Sequence, residues 1–137
     1  GTSYASLIQQ NKRLLFAKCS SLTGCQNSYS DDAYKTTSPA PVLAALKATV
    51  NTPATWTVLQ LQGTSTATEW GLMQVVTKSD ASSPLLGTKA KFDNVTYKWL
   101  ANPATASTLT NAGLTIALND FVDNALASVC ADLTSRR

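Results

Sequence analysis

Phe92, Asn94, Thr96 and Lys98 are spaced two apart in a stretch that reads as a strand, so they share one face of it. An aromatic ring, an amide, a hydroxyl and a cation on a flat surface suit a polar ligand such as RNA. The ring can stack on an unpaired base, and the amide offers donors and acceptors to base edges. The lysine contacts phosphate and gives salt-dependent affinity without sequence information. Val95, Tyr97 and Trp99 take the opposite face and suit a core. A solvated outer sheet face would show the same alternation.

Two further strands would extend that surface. Thr55 to Gln62 places Thr57, Leu59 and Leu61 inward and Val58, Gln60 and Gln62 outward. Glu69 to Lys78 places Met73, Val75 and Thr77 inward, with Gln74, Val76 and Lys78 outward. The candidate RNA-contacting set is therefore Gln60, Gln62, Gln74, Lys78, Lys89, Phe92, Asn94, Thr96 and Lys98.

Catalytic chemistry is scarce. The chain has no histidine, the commonest general base and metal ligand. Asp31-Asp32 are adjacent in a Ser/Tyr-rich loop, and sequence neighbours seldom converge on one substrate. There is no phosphate-binding glycine motif and no Gly-x-Ser-x-Gly. We expect no enzyme, no metal and no organic cofactor. Cys19 and Cys25 can close a small loop in an oxidising setting, while Cys130 lies on an apolar stripe. Asn94-Val95-Thr96 matches a glycosylation acceptor, idle without export. No stretch reaches the length of a membrane span, no signal peptide opens the chain, and it reads as complete and unexported.

The elements that must position these groups fit a single domain over residues 1–137. Hydrophobic residues make up 44% and charged ones only 14%, below the usual quarter. A surface so sparsely charged is weakly defended against self-association. The net charge of +3 permits a nucleic-acid face without demanding one. Tyr4 to Gln10 and Arg13 to Ser20 read as a hairpin, with one amphipathic helix as the competitor. Residues 20–41 are loop-like, Val42 to Val50 is a short helix or strand, and Lys89 to Leu100 is the last strand. Ala81 to Lys89 is a flexible loop with an apolar tip, a contact surface in the making.

Two helices close the chain. Asn102 caps the first, with Pro103 in its first turn and Leu109, Ala112, Ile116 and Ala117 at helical spacing. Asp120 caps the second, whose stripe is Val122, Ala125, Leu126, Val129 and Leu133. Gly113, falling inside the first helix, implies close approach of another helix or backbone. The expected fold is α+β: an antiparallel sheet, made of an N-terminal hairpin plus a meander, with two C-terminal helices packed on one face.

This order resembles the coat proteins of the single-stranded RNA bacteriophages. The hairpin TWTVLQLQGTSTATEWGLMQVVTK, the loop SDASSPLLGTK, the strand KFDNVTYKWLANP and the helices TASTLTNAGLTIALND and FVDNALASVCADL follow the family's sequence of elements. The motif Phe92-Asp93-Asn94-Val95-Thr96-Tyr97 carries the likeness at residue level. The resemblance implies a dimer whose sheets join edge to edge, and an icosahedral shell with loops meeting at symmetry axes. It also implies binding of a genomic RNA hairpin, with the positions of Phe92 and Asn94 in contact, for translational repression and packaging. Its setting would be the virion, assembled in the bacterial cytoplasm without a membrane. The cysteine pair and the long segment from Cys25 to Ala54 depart from the family pattern. Two alternatives stay open: a viral RNA-binding domain that forms no shell, and a secreted Ser/Thr-rich binding module with Cys19 and Cys25 bridged.

Overall fold

A computed structural model describes residues 4–11, 18–64, 84–120 and 122–136. The second strand of the expected hairpin, with Gln74 and Lys78, lies outside these residues, as does the loop up to residue 83.

The sheet corrects the sequence reading. Its strands are β1 (Cys25–Asn27), β2 (Trp56–Gln60) and β3 (Leu114–Leu118), in the order β1-β2-β3 and parallel throughout. Neither an antiparallel meander nor an N-terminal hairpin is present among the described residues; Tyr4–Gln9 is a helix, α1. Parallel neighbours need long crossovers, and helices supply them. Between β1 and β2 run α2 (Asp31–Tyr34) and α3 (Pro39–Val50). Between β2 and β3 run α4 (Pro84–Leu100) and α5 (Pro103–Thr110), and α6 (Asn124–Ser135) ends the fold.

The segment expected as the last strand is thus the helix α4. Phe92, Thr96 and Leu100 are fully buried at a spacing of four, and the Thr96 hydroxyl donates to the Phe92 carbonyl at 3.0 Å. The segment expected to continue the first C-terminal helix is instead β3. The run Asn111-Ala112-Gly113 breaks the helix, and Leu114-Thr115-Ile116-Ala117-Leu118 alternates strictly afterwards. Asn102 does cap α5, its side chain accepting from the Ala104 amide at 3.0 Å. Asp123, and not Asp120, caps α6 by accepting from the Leu126 amide at 2.9 Å.

The core gathers on the sheet face of Leu59 and Ala117, where Val42 and Leu46 of α3 meet Phe92 and Leu100 of α4, with Leu109 and Leu126. Polar links fix the frame. Gln26 Nε2 of β1 reaches the Thr49 and Thr52 carbonyls, both at 2.8 Å, tying the strand to the end of α3. The Tyr34 hydroxyl donates to the Gln60 carbonyl at 2.8 Å and pairs with Ser28 Oγ, which accepts from the Gln60 amide at 2.9 Å. All of these groups are paired, as buried polar atoms require.

At the start of β1, Cys19 and Cys25 form a disulfide with Cα atoms 5.3 Å apart. Gly24 makes the turn with a φ of 73°, a conformation side chains disfavour. Closing so short a loop restricts the unfolded chain by about 2 kcal/mol. Reduction is therefore expected to lower the unfolding free energy by about that amount. A urea midpoint unchanged by reductant would show that the bridge adds nothing.

Candidate functional site

The predicted RNA face is divided by the fold. Phe92 and Thr96 are enclosed in the core and present no surface to a ligand in this fold. Gln62 is also buried, and its Nε2 has no hydrogen-bond partner among the described residues. Gln60 is half-buried on β2, its backbone held by Tyr34 and Ser28. Asn94 and Lys98 are exposed on α4. Lys91, which the alternating pattern had set apart from them, is exposed too. On a helix, positions 91, 94 and 98 are three and seven apart and form one stripe. Helical spacing was the signal that would have grouped them.

Lys89 turns the other way and centres the densest polar cluster among the described residues. Its Nζ donates to Asp93 Oδ2 one turn along α4 and to Asp123 Oδ2 at 2.7 Å. It also stands 5.7 Å from the centre of the Tyr97 ring. Asn119, just past β3, donates to Asp93 Oδ1 at 3.1 Å and to the Tyr97 hydroxyl at 2.8 Å. The cluster therefore joins α4, the end of β3 and the start of α6, whose cap is Asp123 itself.

Its electrostatics are those of a clasp. Burial alone would lower Lys89, but the hydrogen bonds to Asp123 and Asp93 raise it above the ordinary lysine range. Burial and the nearby Asp93 carboxylate push Tyr97 up to about 12. Asp123 is held below the usual carboxylate range by Lys89 and by the Leu126 amide. Lys89 and Tyr97 are thus both protonated at neutral pH, unfit to act as nucleophile or base. Asp31, of the adjacent aspartate pair, is occupied at the surface by Lys35 at 2.6 Å and the Tyr29 hydroxyl at 2.8 Å. Among the described residues no group of acidic and cysteine side chains could hold a metal, and no helix is long and apolar enough to cross a membrane.

A second feature is the outer face of β3. Leu114, Ile116 and Leu118 are 48%, 39% and 45% exposed, an apolar row on an edge strand. They lie in register with Trp56, Val58 and Gln60, so the face continues onto β2. Edge strands are ordinarily protected by lysine, proline or a bulge, and Leu114–Leu118 has no lysine or proline. Sequence reasoning missed this row because Ile116 was read on a helical stripe with Leu109, Ala112 and Ala117. No protein-family model, curated protein or solved structure matches the chain.

Proposed function

We propose that the chain is a coat subunit of the single-stranded RNA phage kind, which associates with copies of itself and holds RNA. The observation that carries the self-association is the uncharged, open row of Leu114, Ile116 and Leu118. Apolar rows of this kind mark interaction surfaces. The row reads the same in both directions about Ile116. Two copies laid antiparallel across a two-fold axis set Leu114 against Leu118 and Ile116 against its own image. The low charge content of 14% leaves little to oppose such contacts.

The RNA side of the reading is supported by the family resemblance of the segments after Thr55 and by the exposed stripe of Lys91, Asn94 and Lys98. Two lysines flanking an amide fit phosphates and a base edge. The parallel sheet, the helix over Pro84–Leu100 and the strand Leu114–Leu118 depart from the family's order of elements, so the reading rests on local sequence likeness and surface chemistry. The Cys19–Cys25 disulfide favours a second reading, an exported binding module, since such bridges belong to oxidising compartments.

Electron microscopy and sedimentation of protein expressed in bacteria separate the two. Closed particles or dimers with co-purifying RNA are expected, and Ile116→Lys should yield folded monomers. Wild-type monomers at high micromolar concentration, free of nucleic acid, would defeat the coat reading. Lys91→Ala with Lys98→Ala should weaken RNA binding and reduce the slope of its salt dependence by about 2. An unchanged slope would move the RNA contacts elsewhere.

A further inference from the structure

A cleft of about 140 Å3 opens between β3 and α6, and Leu114 of the exposed row lies at its wall. Leu100, Leu109, Ala117 and Leu133 line it, with the free Cys130 in its wall. The Thr115 hydroxyl is buried here and has no hydrogen-bond partner among the described residues. We propose that the cleft binds a small neutral amphiphile, an aromatic or short alkyl body carrying one hydroxyl.

The chemistry of the lining selects this class. An apolar cavity of roughly 150 Å3 admits a benzene-sized guest. Among the described residues no charged side chain lines the cleft, so an ionic ligand would lose its hydration without gaining a partner there. Water is a poor occupant, because a buried water needs two to four polar partners. The other hydroxyl at the wall, that of Thr134, already donates to the Cys130 carbonyl at 2.7 Å. A guest hydroxyl would satisfy Thr115, which can donate or accept. Its hydrocarbon body would meanwhile cover the leucines. Burial also raises the Cys130 thiol, which is consistent with an apolar wall.

Phenol and toluene are the probes, titrated into the full chain and followed by amide NMR shifts. Both should bind saturably, with shifts centred on residues 109, 115, 117 and 133. Thr115→Val should weaken phenol roughly 3- to 10-fold, the worth of one hydrogen bond, and leave toluene within about twofold. Phenol should also slow alkylation of Cys130 by N-ethylmaleimide in the wild type at least about threefold at saturation, a readout that needs no substitution. Absence of saturable shifts, an unchanged alkylation rate, or an unaltered phenol-to-toluene ratio in Thr115→Val would overturn the assignment.

Discussion

Gly113→Ala is expected to unfold much of the C-terminal half of the sheet. A Cβ at this position would stand 2.1 Å from the Thr55 carbonyl oxygen and 2.6 Å from its carbon. Both are backbone atoms, so no side-chain rotation relieves the clash. The Thr55 carbonyl is also the acceptor for the Leu114 amide at 3.0 Å, the bond that starts the β2–β3 register. Separating the two segments forfeits that bond, about 1 kcal/mol, on top of an overpacking cost of roughly 3 kcal/mol. The melting temperature should fall by roughly 10–15 °C. Ala112→Ser, at the half-buried neighbour, should melt within about 2 °C of the wild type. Equal melting of Gly113→Ala and wild type would mean that β3 does not begin against residues 54–55.

Lys89→Met should be the next most damaging change. It leaves the Asp93 and Asp123 carboxylates facing each other without the cation between them. Removing one member of a buried ion pair costs 3–5 kcal/mol; here Asp123 remains partly open to water, so about 2–3 kcal/mol is expected. The pH dependence identifies the cause. Asp123 is depressed in the fold, so its contribution is present above the ordinary carboxylate range and is lost as the pH falls through the folded value. Lys89 is raised, so its contribution is complete below the ordinary lysine range and is lost only in strong alkali. The wild type should therefore lose stability below about pH 4 while Lys89→Met loses less, and the gap between them should narrow. A gap constant from pH 7 to pH 3 would assign the loss to packing instead of charge.

How much of this was legible beforehand depends on spacing. Phe92, Thr96 and Leu100 recur every fourth residue, a distance that keeps parity on a strand and also keeps to one face of a helix. The alternation of Val95, Tyr97 and Trp99 tipped the reading toward a strand, although Lys89 and Asp93 offered the helical i,i+4 pair. Trp56–Gln60 was readable because its buried Thr57 and Leu59 alternate with half-buried neighbours. Asn102-Pro103 was readable because cap chemistry is local. β1 was invisible: Cys25-Gln26-Asn27 is short and polar, and it is a strand because Gln26 finds its partners on α3. The cap of α6 was misplaced because Asp120 and Asp123 are equivalent as sequence. What selects Asp123 is its tertiary pairing with Lys89. Of the candidate RNA residues, Asn94 and Lys98 reach the surface under either secondary structure, whereas Phe92 depended on the strand.

The strand order β1-β2-β3 also sets a timetable. β2 is the middle strand, yet one of its two partners is encoded far downstream, after two intervening helices. A ribosome adds roughly 5–20 residues per second, so for some seconds a nascent chain carries β2 with a bare edge. Parallel pairing across so long a loop is slow by its topology. During that interval the half-made sheet presents the unpaired backbone edge of β2, the kind of edge on which other strands can add.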